Sequence, residues 1–349
     1  MDVEQRHMAG AGRLLLIAFL WTAGLIVIAS VGSLARPAHA ASFDCAAATQ
    51  PLEKIICADE DLSALDEKMA ATYKETQAKL DGDAAQTIKT SQRAWLKFLR
   101  AYCGATDRAG WTTAECLDME YDTRIQDLAG AIIVQPAFTF LQVAEYQTIK
   151  IDAEPEYDRP AETGRHYFSY PQIIAPKVAE TARWNDDMQK WARSVVGEWI
   201  EMDGNPQVEI SATVRTSLPN FVSVEKSVYW MGAAHMWGTY WNENVLLTTG
   251  QELTAAQIFK SGSGWESFLS TRAFNAIELE SGSPEITRDL IESLVEEPQT
   301  WTVSADTLTI TVDPDGTDSR RYGAIEVVYT WRELGPFLQA DLPIALNVD

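Results

Sequence analysis

Between about residues 50 and 130 apolar side chains recur every three or four positions, and from about residue 140 they mostly alternate. A short helical turn opened by Pro51 comes first. Leu62, Leu65, Met69, Tyr73 and Leu80 then form a helical stripe, with Asp61 available as a cap, and Asp81-Gly82-Asp83 breaks it. Ile88, Trp95, Leu99 and Tyr102, with Phe98 beside them, predict a second long helix. Gly104 to Gly110 reads as a loop, and Leu117, Tyr121, Ile125 and Leu128 predict a third helix. The 129–136 stretch is a linker or the first edge of the next domain.

Alternation then predicts strands over Phe140–Ile151 and His166–Ile173, with Asp158-Arg159-Pro160 in a loop between them. A helical stripe of Trp184, Met188, Trp191, Val195 and Trp199 interrupts; at that spacing tryptophans read as core. Strands return at Val208–Val214 and Phe221–Met231, followed by a corner at Gly232–His235 and another strand. A Thr-Gly turn, a short helix and the flexible Ser261–Gly264 joint come next. Helices are predicted at Trp265–Glu280 and Pro284–Glu297, the second with Ser283 as N-cap. Strands at Thr302–Val312 and Ala324–Trp331 flank an Asp313–Gly316 turn, and Glu333–Leu338 closes as a short helix. The predicted class is α + (α+β). A small disulfide-stapled helical domain at 41–130 precedes a mixed antiparallel-sheet-and-helix domain at 137–349.

Leu14 to Leu34 is almost wholly apolar and leads to Ala38-His39-Ala40, so residues 1–40 read as a signal peptide cleaved after Ala40. The run is also long enough to serve as an uncleaved anchor. No cysteine sits at the cut, which argues against a lipoprotein. Cys45, Cys57, Cys103 and Cys116 all lie beyond it, and four cysteines in a small exported segment predict two disulfides in any of three pairings. A zinc site is the rival, but the segment has no Cys-x-x-Cys and no histidine. The net charge of −22 repels nucleic acid and anionic lipid and attracts basic partners. These features predict a periplasmic or secreted protein.

Aromatic and methionine side chains crowd around the Gly232–His235 corner. Trp230, Met231, His235, Met236, Trp237, Tyr240 and Trp241 are the candidate partner-binding residues. Rigid aromatics give large contact area at low entropic cost, although alternate members of a strand can also simply fill a core. They do not share one parity, so some are expected to be exposed. Catalysis has little support. Only His166 and His235 lie beyond Ala40, and there is no nucleophile elbow, metalloprotease, Walker or dinucleotide motif. No cofactor is implied, and a pair of acidic residues acting on glycosides is the one chemistry that sequence hides.

Two stretches resemble known families. F-D-C-A-A-A-T-Q-P-L-E-K-I-I-C-A-D-E-D-L-S-A-L-D, S-Q-R-A-W-L-K-F and C-L-D-M-E-Y-D-T-R-I-Q-D-L, within Ser42 to Leu128, resemble the N-terminal domain of LprI-type lysozyme inhibitors. Unlike the namesake, this chain lacks a lipidation cysteine. Tyr170-Pro171-Gln172-Ile173, G-A-A-H, N-V-L-L-T-T-G-Q-E-L-T-A-A-Q-I-F and Y-T-W-R-E-L-G-P-F-L, within Phe138 to Ile344, are similar to the extracytoplasmic domain of RsiV-type anti-sigma factors. That domain also occurs beside some peptidoglycan deacetylases. The family has Gly-Gly-Ala-His at the corner, where this chain has Ala233. Both resemblances imply lysozyme as partner, bound with its cleft occluded. The alternative is an envelope module that binds peptidoglycan saccharide.

Overall fold

A computed structural model describes residues 41–105, 111–153, 161–200, 207–231, 236–281, 287–312 and 325–348, with backbone alone at 195–200, 231, 236–237 and 278–281. The leader, the 158–160 loop, His235 and its corner, the Ser283-Pro284 cap and the Asp313–Gly316 turn lie outside the described residues.

Four helices open the described chain. In α1 (Pro51–Ala58), Gln50 and Glu53 form a capping box ahead of a proline at the first helical position. The cap of α2 (Glu60–Ala78) is Asp59, not Asp61; its side chain accepts from the backbone N–H groups of Asp61 and Leu62. The Asp81-Gly82-Asp83 break separates α2 from α3 (Gly82–Tyr102), and Thr112 and Glu115 box the start of α4 (Thr113–Ala129). Disulfides join Cys45 to Cys57 and Cys103 to Cys116, across sequence separations of 12 and 13. Each therefore staples neighbouring helix ends, the second tying the end of α3 to the start of α4. Trp95 is fully buried and meets Tyr121 edge-on at 5.3 Å. The helical stripes converge on this pair.

A seven-stranded sheet comes next in simple sequence order: β1 (Ile132–Val134), β2 (Thr139–Ile151), β3 (Glu162–Ala175), β4 (Gln207–Leu218), β5 (Phe221–Met231), β6 (Met236–Leu246) and β7 (Gln251–Glu252). Neighbours are antiparallel except β3 and β4, which run parallel because α5 (Ala179–Ile200) carries the chain back between them. Trp184 and Met188 of α5 are buried, as their spacing requires. The stretch at 129–136 contains β1, paired with β2, so the helices lead straight into the sheet.

The remaining chain builds α6 (Ala255–Ile258), α7 (Trp265–Ser281), α8 (Arg288–Glu296), a second sheet and α9 (Trp331–Leu334). Thr302–Val312 is two strands, β8 (Trp301–Val303) and β9 (Thr307–Val312), paired with β10 (Ile325–Thr330) in the order β10-β9-β8. Ser304 makes the break: its Oγ accepts from the N–H groups of Asp306 and Thr307, a side-chain turn that competes with strand. Helix α8 is described from Arg288, under a Thr287 cap.

His39–Asp349 form one compact unit with two main apolar clusters. One runs from Trp95 and Leu117 in the helices through Phe140 and Tyr170 to Trp184 and Val224. The other gathers Phe221, Leu246, Phe259, Trp265, Trp301 and Tyr329, with Phe259 stacked on Trp265 at 4.5 Å.

Candidate functional site

The β5–β6 hairpin carries the aromatic candidates. Its register is continuous from Phe221↔Leu246 at the root to Met231↔Met236 at the far end. Val222, Val224 and Val228 fill one face of β5 at strand period, and all three are fully buried. Burial falls along the strand, and Tyr229 near the far end is 36% exposed. Gly238 lies opposite Tyr229, and a Cβ there would stand 2.0 Å from the Tyr229 ring, so the phenol lies across bare backbone. That contact shields a strand glycine, which has no side chain to do so itself.

Trp230 and Trp241, both expected at the contact surface, are half-buried and pack with Phe168, Val208, Ile210 and Val228. Trp241 meets Trp191 of α5 edge-on at 6.2 Å, so its ring is part of the helix–sheet contact. Tyr240 is half-buried and pairs with Ser227 in register. Met231, Met236 and Trp237 sit at paired positions at the hairpin's far end, Trp237 opposite Trp230; their side chains, like His235, lie outside the described part of the chain. The register thus puts Trp230, Met231, Met236 and Trp237 at the far end of the hairpin and Tyr240 and Trp241 near its middle, Trp241 opposite Lys226.

Sequence reading passed over Lys226, a lone base in the apolar run F-V-S-V-E-K-S-V. Its parity with Val224 and Val228 was the available signal, because a charge at an interior position must be compensated. Lys226 is 4% exposed, its Nζ lies 2.7 Å from Glu243 Oε1, and it sits 4.5 Å from the centre of the Trp191 ring. Burial pulls its pKa below the ordinary lysine value, and the Glu243 charge opposes that pull.

A second cluster joins the helices to the sheet. Asp127 of α4 accepts hydrogen bonds from the Tyr146 and Tyr167 hydroxyls of β2 and β3. Arg124 Nε donates to Gln92 of α3 at 2.9 Å and its guanidinium lies over the Tyr146 ring. Arg165 of β3 places Nε 2.9 Å from Glu120 Oε1, an ion pair off the hydrogen-bond line, and bonds Glu209 at 2.7 Å. Burial raises the pKa of both Glu120 and Asp127; Arg165 opposes it at Glu120, and the Tyr146 and Tyr167 hydroxyls, then Arg124 and Arg165, oppose it at Asp127. His166 beside them is fully buried, with its ring edge-on to Phe168 at 6.5 Å. The helical segment also contains a cavity of about 580 Å³ walled by Leu52, Ile56, Met69, Tyr73 and Leu96, with Asp66 at its polar end. Asp66 accepts from Tyr121 Oη at 2.7 Å and from the Ser42 N–H at 2.6 Å.

Among known proteins, residues 45–128 match the family model described as "Lysozyme inhibitor LprI", which spans both disulfides and α1–α4. No curated protein matches the chain. Among solved structures, a DUF3298 family member from Bacteroides fragilis is similar at 14% identity and a TM-score of 0.36, over 58% of this chain and 94% of that one. A DUF3298 family protein from Pseudomonas aeruginosa is similar at 12% identity and a TM-score of 0.38, over 58% and 95%. Two disulfides fit an oxidising, extracytoplasmic compartment. Among the described residues no helix is long and apolar enough to cross a membrane.

Proposed function

We propose that this chain acts outside the cytoplasm, in the periplasm or after secretion, where it binds a cationic lysozyme or other muramidase and inhibits it by occluding the sugar cleft. The observation that carries the reading is the lysozyme-inhibitor family match over residues 45–128. The resemblance of residues 138–344 to the RsiV-type lysozyme-binding domain supports it from the other part of the chain. A net charge of −22 and a pI near 4.5 suit a basic partner, steering encounter and raising the on-rate.

In this reading the far end of the β5–β6 hairpin is the inserting element. Trp230, Met231, His235, Met236, Trp237, Tyr240 and Trp241 stand at or beside the contact, and affinity comes from the aromatic centre once it is desolvated. The root of the hairpin is clamped between buried residues, so the arm is presented without much ordering on binding. No chemistry of the chain's own is required. The test is a muramidase turbidity assay with and without the protein, run on several lysozyme classes. Dose-dependent loss of lysis with formation of a complex is expected; full lysis at micromolar protein, with no complex, overturns the reading.

A further inference from the structure

Between α5 and the β5–β6 hairpin lies a recess of about 220 Å³, below the range usual for drug-sized ligands and suited to one small ring. Trp184, Trp191, Lys226, Glu243, Asp187 and Glu252 supply its chemistry. From its location, its size and the groups that line it, we infer that this recess is a subsite for one uncharged sugar ring.

Donors with spare capacity line the recess. Trp184 is 5% exposed, and its indole N–H has no hydrogen-bond partner among the described residues. Lys226 has three N–H donors; Glu243 takes one and the Trp191 face attracts the ammonium, so donor capacity remains. Acceptors line it as well, in the carboxylates of Glu243, Asp187 and Glu252. A ligand that completes both sets offers hydroxyls, each donor and acceptor at once, on a ring with an apolar face for indole.

Other chemistries fit less well. An inorganic anion would meet four carboxylates, Glu180 included, against Lys226 and Arg183. A cationic side chain, a donor only, would leave the Trp184 N–H unpaired and would also meet the Lys226 ammonium. The wall is also built in advance. Arg183 donates to the Leu247 carbonyl, and Gly250, at φ 74°, leaves room for its guanidinium, since a Cβ there would stand 3.0 Å from Arg183 Nε. The inference is independent of lysozyme inhibition: the recess binds sugar whether or not the hairpin blocks an enzyme.

The test is titration of the full-length protein with an N-acetylglucosamine trimer, a glucose trimer, inorganic phosphate and trilysine, monitored by intrinsic tryptophan fluorescence and calorimetry. Saturable binding of a sugar trimer at about millimolar strength is expected. Trp184→Phe, which removes the N–H and keeps an aromatic ring, and Asp187→Asn, at an exposed rim position, should each weaken it about tenfold or more. Trp111→Ala, in the helical segment, should leave it unchanged. Should Trp184→Phe fail to fold, Asp187→Asn alone decides. No saturable sugar binding at about 10 mM, preference for phosphate or trilysine, or unchanged affinity in Asp187→Asn overturns the inference.

Discussion

At the junction of α4 with β2 and β3, buried charges face other charges and phenols from four elements. Beneath the hairpin, Lys226 leans on one carboxylate and one indole face. Glu120, Arg124, Asp127 and Arg165 meet side chains of α3, β2, β3 and β4 but leave Glu120 Oε2, Arg124 Nη2 and Arg165 Nε without hydrogen-bond partners among the described residues, whereas the Lys226 site borders a recess. Burying charge costs free energy in both places. At the junction that cost fixes how the helical segment sits on the sheet, and under the hairpin it sustains a polar floor in an aromatic wall.

The sharpest way to break the comparison is Arg165→Met. It leaves Glu120, whose side chain is 3% exposed, without the cation opposite it, and should cost about 3–5 kcal/mol by urea denaturation. Lys226→Met should cost less, about 1–2 kcal/mol, because the Glu243 carboxylate it leaves behind is 21% exposed and can be reached by water. Equal losses in the two variants would erase the distinction. Next in size is Cys103→Ser with Cys116→Ser, which should lower stability by about 2–4 kcal/mol and leave β5–β6 contacts intact in hydrogen exchange.

Much of the fold was legible beforehand. The stripes at Leu62–Met69, Ile88–Tyr102 and Trp184–Trp191, and the alternation through β4, β9 and β10, come from local burial and show directly in the sequence. The parallel β3–β4 pair does not, because strand direction depends on where α5 delivers the chain. Nor does the cysteine pairing, which needs the helix ends side by side. The junction charges read as ordinary polar positions on α4, since nothing local tells Glu120 that Arg165 waits on a distant strand. At the candidate site the aromatic crowding was visible. The contact of Trp241 with Trp191, and the depth of Lys226, required the register of β5 against β6 and the position of α5.

A smaller effect separates the hairpin's far end from its root. Tyr240→Ala and Trp237→Ala should each weaken inhibition of a susceptible lysozyme by about 2 kcal/mol, roughly thirtyfold, as central aromatic anchors do. Folding stability should fall far less, because the fully buried root residues Phe221, Val222 and Val224 are untouched. Inhibition constants and melting curves measured on the same preparations separate the two. Inhibition that survives both changes would move the contact to the helical segment.

The smallest expected effect is in the response to pH, where the two buried-charge sites should pull in opposite directions. Burial holds Glu120 and Asp127 above ordinary carboxylate values, so the native chain keeps protons that the unfolded chain has released. Their contribution to stability is therefore fully present below the ordinary carboxylate range and is lost as pH rises through the folded values. Lys226 has the reverse sign. Its lowered pKa contributes stability above the ordinary lysine value, and that is lost as pH falls through the folded value. As acid is added through their folded values the junction terms should favour the native state, and Glu120→Gln should remove part of that gain in urea midpoints followed as a function of pH. An identical response in the variant and the parent would mean that Glu120 is ionised equally in both states, and the junction would then behave as a solvated ion pair and not as a buried charge.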